Sequence, residues 1–220
     1  TERTAFKELS IYFGLIDFLK KTIIKIVLKF LYKRADLIIA NSRKVANELS
    51  YYSKNKTTYV YPGSFKKKIK RVKKFRSTFN IISVGRFSEE KGFELLIKSF
   101  KNIDKNKYKL YLIGDGKKKE NLKKLIKNHN LEKNIKLPGF KKNIYPYLIK
   151  SDLLISTSYF EGFPNVVIEA LSCGVPVISS KSHGGIYEIL KNQTYGDLFE
   201  NGNIKDLESK IINFFNNPKK

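Results

Sequence analysis

Residues 156–180, STSYFEGFPNVVIEALSCGVPVISS, carry the signals of a strand end, a loop, a short helix and a second strand. Pro164 stands where the helix is predicted to begin, and Gly174 stands where it is predicted to end. Proline suits the first helical turn, and glycine readily takes the positive φ that follows the last turn. The apolar residues between them recur at helical spacing and predict a face packed on a sheet: Val166, Val167, Ala170 and Leu171.

Two acids accompany this helix, Glu161 in the preceding loop and Glu169 within the helix, with seven residues between them. The unpaired N–H groups of the helix N-terminus point into the loop and favour an anion such as phosphate. One interpretation is structural: Glu161 stabilises the helix dipole, and Glu169 is an exposed helical acid. The other is functional: Glu169 accepts two hydrogen bonds from a vicinal diol such as ribose.

From residue 80 onward, apolar strand candidates alternate with helical patterns. Strands are predicted at 80–84, 108–113, 134–137, 152–156, 175–179 and 197–199. Helices are predicted at 89–104, 117–129, 144–150, 165–173, 185–191 and 204–216. Uninterrupted apolar strands that alternate with helices are typical of a parallel sheet covered on both faces. The predicted fold class is therefore α/β, with a Rossmann-like parallel sheet flanked by helices.

The carboxyl ends of these strands carry glycines and charged residues. Those residues are Gly85-Arg86, Gly114-Asp115-Gly116, Gly139, Glu161 and the turn Ser182-His183-Gly184-Gly185. Ligands of open parallel sheets bind beyond the carboxyl ends of the strands. The set therefore predicts a nucleotide-type site at one rim of the sheet.

Arg86 and Lys91 follow the first of these strands in the run VGRFSEEKG, residues 84–92. A planar guanidinium and a mobile ammonium both suit a diphosphate. Gly184 and Gly185 precede a helical pattern and could bring backbone N–H groups to a phosphate or a sugar. His183 has no second residue of a catalytic triad or metal set in view, so a general-base role is not predicted. The sequence also offers no Asp-x-Asp pair for a divalent metal.

The N-terminal part of the chain predicts a smaller α/β unit. A short apolar run at 36–40 predicts a buried parallel strand, Asn41 and Ser42 are candidate N-caps of a helix, and 57–61 predicts a further strand. The charge run KKKIKRVKK at 66–74 has no periodic apolar face and predicts a solvated linker. The predicted division is a remnant domain at 1–65, a basic linker at 66–79 and a C-terminal domain at 80–220.

Basic residues dominate the surface chemistry. The chain has 44 Lys and Arg against 20 Asp and Glu, a formal charge of +24, which favours nucleic acid, anionic lipid or phosphorylated substrates as partners. Residues 11–34 predict a basic amphipathic helix. Two interpretations of this helix stand side by side: contact with a membrane surface, or packing on a sheet of which part is absent.

Cys173 is the single cysteine, which excludes an intrachain disulfide, fits a reducing compartment and predicts a small buried hydrophobe. No run of the sequence approaches the roughly 18 apolar residues that a membrane-spanning helix needs. The sequence contains no methionine, even at position 1, and we therefore expect its reading frame to extend upstream.

The stretch EGFPNVVIEALSCGVPVISS, 161–180, resembles the E-x7-E signature of the retaining family 4 glycosyltransferases, which have the two-domain GT-B fold. Further similar stretches follow the family's order: VGRFSEEKG (84–92), LIGDGKKKENL (112–122), KLPGF (136–140), SDLLISTSYFEGFP (151–164) and SHGGIYEIL (182–190). ADLIIANS (35–42) resembles the end of the family's N-terminal domain, and YVYPGSF (59–65) resembles its interdomain connection.

The resemblance implies a role for each rim residue. Arg86 and Lys91 would hold the donor diphosphate and stabilise charge on the departing nucleotide. Glu169 would bind the ribose hydroxyls, and Glu161 would contact the donor sugar. Backbone N–H groups of 163–166 would contact sugar and phosphate, and Gly139 and Phe140 would flank the base. The full set of implied donor-binding residues is Gly85, Gly114, Gly139, Phe140, Phe163, Pro164, Asn165, Val166, Glu169, Gly184 and Gly185.

The activity implied by the resemblance is transfer of a sugar, with retention, from a nucleotide-diphosphate donor to a glycan or lipid-linked acceptor. UDP-sugar is the favoured donor, surface polysaccharide synthesis is the implied context, and neither a metal nor another cofactor is required. The implied location is the cytoplasm, at the inner face of an anionic membrane, with no nucleic-acid partner. The alternative is a donor-binding module that is inactive without an acceptor domain supplied in cis or in trans, since the family's first half is mostly absent from these 220 residues.

Overall fold

The computed structural model describes residues 26–27, 29–53, 56–63, 78–191 and 193–217. The chain divides into two compact units. The smaller unit groups Thr1–Gly63 with the short segments Phe160–Pro164 and His183–Glu188, and the larger unit consists of Ser64–Tyr159, Asn165–Ser182 and Ile189–Lys220. The linker predicted at 66–79 lies almost wholly outside the described residues, so the predicted domain division stays a prediction. No sequence pattern indicates that the two short segments belong with the N-terminal residues.

In the smaller unit, one helix connects two parallel strands that pair with each other. Strand β1 (Ile38–Ala40) pairs with β2 (Thr57–Tyr59), and helix α1 (Arg43–Ser53) connects them. Ser42 is the N-cap of α1, as predicted, because its Oγ accepts a hydrogen bond from the Val45 N–H at 3.3 Å. A small apolar core joins the strands to the helix and consists of Ile38, Ala40, Val45, Ala46 and Leu49.

The predicted amphipathic helix at 11–34 lies mostly outside the described residues. Of its length, 26–27 and 29–34 are described, and they are helical. Apolar side chains on this segment are solvent-exposed, with Ile26 at 65% and Phe30 at 55%. Among the described residues, no helix is both long and apolar enough to span a membrane.

The larger unit is built on a six-stranded sheet. Its strands are β3 (Phe79–Val84), β4 (Tyr108–Ile113), β5 (Ile135–Gly139), β6 (Leu153–Ser156), β7 (Val177–Ser180) and β8 (Asp197–Phe199). The spatial order is β5-β4-β3-β6-β7-β8, and every neighbouring pair is parallel. The strand order reverses direction between β3 and β6, which is the place where sheets of this kind bind their ligands.

Helices connect successive strands. The connecting helices are α2 (Phe93–Ser99), α3 (Lys119–Asn128), α4 (Tyr145–Leu148), α5 (Asn165–Ser172) and α6 (Ile186–Leu190), and a last helix, α7 (Ile204–Asn216), follows β8. Helix α2 packs against α3 and α7, whereas α5 packs against β6 and β7. Neighbouring residues Ile81 and Ile82 of β3 point to opposite faces of the sheet, and both are fully buried. The predicted α/β class, with a parallel sheet flanked by helices, is confirmed.

Several predicted bounds differ from the structure by a few residues, and for two of them the reason is local. The helix predicted at 89–104 is a 3-10 turn, Glu89–Lys91, followed by Gly92 at φ +63° and then α2. An added Cβ on Gly92 would lie 2.2 Å from the Thr157 carbonyl oxygen, so the backbone turns sharply there to pass it. Strand β7 begins at Val177 instead of 175, since Pro176 has no N–H to donate to a sheet ladder.

The helix that follows residue 164 runs from Asn165 to Ser172, close to its predicted bounds. Of its predicted core face, Val167 and Ala170 are buried, whereas Val166 and Leu171 are partly exposed. The predicted face was therefore too wide, because a two-turn helix on a sheet buries a narrow stripe. Cys173 is buried and free, as predicted.

Candidate functional site

The carboxyl ends of β3, β4 and β5 form one continuous rim in the larger unit. The Gly85 N–H donates to the Ile113 carbonyl at 3.0 Å, and the Gly114 N–H donates to the Gly139 carbonyl at 3.2 Å. These two bonds continue the sheet ladder by one residue beyond the strands. The structure thus brings together the three glycines that the sequence places at strand ends.

Phe87 anchors the loop that follows β3. Its side chain is fully buried, and its ring packs edge-to-face on Phe93 with 5.0 Å between centroids. Its N–H donates to the Asp115 carbonyl at 2.9 Å, and its carbonyl accepts from the Lys118 N–H at 3.0 Å. The loop after β3 is therefore fixed to the loop after β4, and its neighbour Arg86 keeps an exposed side chain.

Lys91 lies over the same turn as Arg86. An added Cβ on Gly85 would be 3.5 Å from the Lys91 Cδ, so the lysine stem passes across this glycine. The Lys91 carbonyl accepts a hydrogen bond from the Thr157 Oγ1 at 3.0 Å, which ties it to the residues after β6. The Lys91 stem therefore lies beside the residue that precedes Arg86 on the rim.

Other lysines are engaged by the acids near this rim. Lys118 is 2.7 Å from Glu89, which raises the pKa of Lys118. Lys119 is 2.8 Å from Asp115, and this contact holds the pKa of Asp115 below its usual range. Both contacts are at the surface, so each stabilises the fold only slightly.

Glu169 lies in the middle of α5 and is only partly exposed. Burial raises the pKa of its carboxyl group. Burial also raises the pKa of Tyr145 on α4, and the charge of Glu169 adds to that shift, so the phenol lies within electrostatic range of the carboxylate. Glu169 is therefore not the fully solvated helical acid of the structural interpretation.

Helix α5 begins on the rim side of the sheet because it follows β6, the neighbour of β3. Asn165 is its first residue, and Val166 is its second. Their N–H groups are among the four that a helix leaves without an intrahelical partner. Phe140, which follows β5, is 72% exposed, as an aromatic surface open to a ligand would be.

The remaining predicted residues belong to the smaller unit: Glu161, Phe163, Pro164, Gly184 and Gly185. Two short segments carry them and bind each other through the backbone. The Glu161 N–H donates to the His183 carbonyl at 3.1 Å, and the Gly185 N–H donates to the Gly162 carbonyl at 2.9 Å. Gly184 has φ +108°, and an added Cβ would lie 1.7 Å from the Glu161 carbonyl oxygen. Only glycine fits there.

His183 uses its ring within the smaller unit. Its Nε2 contacts the Glu48 carboxylate of α1, and only 16% of its side chain is exposed. Glu48 was not a sequence candidate, and neither were Tyr61 and Glu188, which bind the same region. Tyr61 and Glu188 lie within the stretches 59–65 and 182–190 that resemble the family, but these stretches do not indicate the contacts, because the partners are far away along the chain.

The family of this sequence is shown by comparison with known proteins. The glycosyl transferases group 1 family matches residues 64–220. An uncharacterized glycosyltransferase of Methanocaldococcus jannaschii is 36% identical over 184 residues, covering 76% of this chain and 45% of the relative. A Campylobacter jejuni protein is 33% identical over 183 residues, covering 80% of this chain and 50% of its own length. That protein is N-acetylgalactosamine-N,N'-diacetylbacillosaminyl-diphospho-undecaprenol 4-alpha-N-acetylgalactosaminyltransferase. The chain thus spans about half the length of these relatives.

Solved structures share the fold. The Anabaena HepE protein in complex with UDP superposes with a TM-score of 0.77 at 23% identity, covering 90% of this chain and 59% of that one. Staphylococcus aureus TarM, in complex with fondaparinux, alpha-GlcNAc-glycerol and UDP, gives 0.76 at 26% identity, covering 86% of this chain and 39% of that one. With its parallel sheet, its glycine-lined rim and a family match over most of its length, this chain belongs to the group 1 family of glycosyl transferases.

Proposed function

We propose that this chain binds the nucleotide-sugar donor of a retaining family 4 glycosyltransferase and supplies the residues that assist departure of the nucleotide. The observation that carries the proposal is the position of Lys91, whose stem passes across Gly85, the residue next to Arg86, in the loop after β3 at the topological switch point. UDP-sugar is the favoured donor, and HepE and TarM, which share the fold, were both solved with UDP.

The diphosphate is the part of the donor that needs positive charge. The guanidinium of Arg86 can make paired hydrogen bonds to phosphate oxygens, and the ammonium of Lys91 can follow the charge as it develops. When the bond between the sugar C1 and the phosphate oxygen breaks, its electron pair stays on the diphosphate. Positive charge held in place at that oxygen stabilises the transition state more than the ground state.

Glu169 is proposed to accept hydrogen bonds from the ribose hydroxyls. Partial burial disfavours the charged form of this carboxyl group, and two vicinal hydroxyls would each donate a hydrogen bond to the carboxylate. Phe140 and Gly139 are proposed to flank the base, since an exposed ring offers a stacking surface.

Glu161 is proposed to contact the donor sugar, with backbone N–H groups of the following residues on sugar and phosphate. Pro164 has no N–H, so only Phe163, Asn165 and Val166 can donate in this stretch. Transfer with retention would leave the new bond on the sugar face from which the nucleotide departs. The attacking hydroxyl of the acceptor molecule loses its proton as the new bond forms. The departing diphosphate is proposed to take up that proton, because it is negatively charged and lies on the same face of the sugar. We propose that no metal or other cofactor takes part.

The acceptor is proposed to be a glycan or lipid-linked glycan in surface polysaccharide synthesis. The name of the Campylobacter relative specifies a saccharide on diphospho-undecaprenol, and a Staphylococcus aureus relative is named a poly(ribitol-phosphate) alpha-N-acetylglucosaminyltransferase. A formal charge of +24 supports work in the cytoplasm close to the anionic inner face of a membrane.

Calorimetric titration with UDP, GDP and ADP tests the donor proposal. We expect the wild-type chain to prefer UDP and the Glu169→Ala variant to lose about tenfold in affinity, as loss of hydrogen bonds to a charged group would cause. Glu208→Ala is the matched control, because Glu208 is a partly exposed acid on α7 whose carboxylate accepts a hydrogen bond from Asn102. Absence of binding to all three nucleotides, or binding that Glu169→Ala leaves unchanged, would refute the site assignment.

The second candidate function is a donor-binding module that transfers nothing by itself. The observation in its favour is that the chain spans about half the length of its relatives. This candidate predicts UDP affinity without release of UDP from a UDP-sugar. Restoration of turnover by an added acceptor-side polypeptide would support it, and turnover by the 220-residue chain alone would exclude it.

A further inference from the structure

Glu188 lies where three hydrogen-bond donors of the smaller unit converge. Its carboxylate accepts from the Arg43 N–H at 3.2 Å, from the Lys44 N–H at 3.0 Å and from the Tyr61 hydroxyl at 2.6 Å. Together with the Ser42 Oγ on Val45, Glu188 satisfies the first three N–H groups of α1. A carboxylate at a helix N-terminus is also favoured by the helix dipole.

Tyr61 connects this contact to the segment that carries Glu161. Its ring stacks on Phe163 with 5.2 Å between centroids and 27° between planes. Its hydroxyl is committed to Glu188, and that hydrogen bond is the main cause that raises the pKa of Tyr61 to about 12. One tyrosine therefore links the segment 183–188 to the segment 160–164.

A second connection starts from the same helix. Glu48 of α1 contacts the His183 ring, and the His183 carbonyl accepts the Glu161 N–H. The two segments are also closely packed, because an added Cβ on Gly185 would lie 2.4 Å from the Phe163 Cδ2. The backbone at Glu161 is thus fixed from α1 through two independent routes.

We propose that Glu188, Tyr61 and Glu48 are positioning residues that fix the Glu161 segment in the geometry needed to contact the donor sugar. The inference rests on the proposed function for the meaning of Glu161, but not for the contacts themselves. None of the three touches the donor nucleotide in this scheme. They act by limiting the conformations of 160–164 before the sugar arrives, which saves the entropy of ordering that segment on binding.

The proposal predicts different effects on the affinity for UDP and on the affinity for a UDP-sugar. A purely structural role of these residues would change both affinities alike. UDP is proposed to be held by Arg86, Lys91 and Glu169, which lie outside the segments 160–164 and 183–188. The sugar contact depends on Glu161, which lies inside them. Loss of the contacts made by Glu188, Tyr61 and Glu48 should therefore weaken binding of a UDP-sugar and leave binding of UDP unchanged.

The test is calorimetric titration of the 220-residue chain with UDP and with UDP-glucose, UDP-galactose and UDP-N-acetylglucosamine. For the sugar nucleotide that wild type binds best, we expect Glu188→Ala to weaken binding about fivefold or more while UDP affinity changes less than about twofold. Tyr61→Phe keeps the ring and loses one hydrogen bond. It should therefore lower the affinity for the UDP-sugar, relative to that for UDP, less than Glu188→Ala does. Glu188→Gln keeps one acceptor oxygen and should recover part of the loss. Glu120→Ala removes a surface ion pair with Lys123 and should change neither affinity.

Amide hydrogen exchange supplies a readout that needs no nucleotide. In Glu188→Ala, the amides of Glu161 and Gly185 should exchange faster while those of β3 and β4 keep their wild-type rates. If Glu188→Ala unfolds the chain, the same comparison is made with Tyr61→Phe. Unchanged exchange at Glu161, or equal loss of UDP and UDP-sugar affinity, would overturn the proposal. A wild-type chain that binds no nucleotide but shows the exchange pattern would overturn the proposed function alone.

Discussion

Arg86 and Lys91 are the residues on which the donor proposal depends most directly. Each is expected to make a charge-assisted hydrogen bond to the diphosphate, so Arg86→Ala and Lys91→Ala should each weaken UDP binding by about tenfold to a hundredfold. Arg86→Lys should recover little of this loss, because an ammonium cannot form the paired contact of a guanidinium. Calorimetric titration measures the effect.

Lys123→Ala is the control for these two variants. Lys123 forms a surface ion pair with Glu120, 2.8 Å away on α3, and its loss changes the net charge by the same amount. If Lys123→Ala weakened UDP binding as much as Arg86→Ala, the nucleotide would be held by the overall charge of the chain and not by the rim.

Burial of the Glu169 carboxylate lowers the stability of the fold, and the sequence does not reveal this effect. Burial raises its pKa in the folded chain above the ordinary value, so the folded state holds the proton more tightly than the unfolded state does. At low pH the carboxyl group of Glu169 is protonated in both the folded and the unfolded state, so its burial does not lower the stability there. Stability falls as pH rises from the ordinary pKa through the raised one, and the deficit persists at pH 7.

Glu169→Gln should consequently unfold at a higher temperature than wild type at pH 7, and the difference should shrink as the pH approaches about 4. The same variant should bind UDP more weakly, since an amide accepts ribose hydroxyls less well than a carboxylate does. Thermal unfolding at both pH values and UDP titration check the two effects together. A variant less stable than wild type at pH 7 would contradict the desolvation of Glu169.

At the scale of elements, the two short segments of the smaller unit leave no room for change at Gly184. Alanine there would place a Cβ 1.7 Å from the Glu161 carbonyl oxygen at a φ of +108°. We expect Gly184→Ala to destabilise the chain by about 2 kcal/mol or more, measured by urea unfolding. Gly63→Ala is the matched control, because its added Cβ would meet nothing within 4 Å. It should change stability by less than about 0.5 kcal/mol. Equal effects of the two substitutions would show that the close approach at Gly184 is not maintained in solution.

Local patterns predicted most elements and few of the contacts between them. Strands β4 and β8 and helix α7 occupy their predicted residues. The spacing of apolar residues and the length of the apolar run within a short stretch of sequence are enough to predict such elements. Gly92 breaks a predicted helix for a reason that lies at Thr157, on another strand end. Glu188 receives the Lys44 N–H from 144 positions away, and nothing in either sequence neighbourhood predicts that pairing.

The candidate site divides in the same manner. The positions of Gly85, Gly114 and Gly139 on one rim could be predicted, because the carboxyl ends of parallel strands meet at one edge. The roles of Arg86 and Glu169 come from the family resemblance and stay predictions. The partial burial of Glu169 and the contact of His183 with Glu48 depend on packing, which residue spacing does not encode.

At the scale of the whole molecule, a formal charge of +24 attracts every anion, so site-specific and diffuse binding must be separated. Diffuse attraction to a membrane is screened by salt, whereas the hydrogen bonds proposed from Arg86 and Lys91 to a diphosphate would be screened much less. Raising the salt from about 0.05 M to about 0.5 M should therefore release the chain from vesicles that contain anionic lipid. Over the same range, affinity for UDP should fall by less than about tenfold. Arg86→Ala should leave vesicle binding at about 0.05 M salt unchanged, whereas its UDP affinity should be about tenfold to a hundredfold below that of wild type at either salt concentration. If UDP affinity instead fell in parallel with vesicle binding, and Arg86→Ala affected both alike, the rim would be one part of a uniform basic surface.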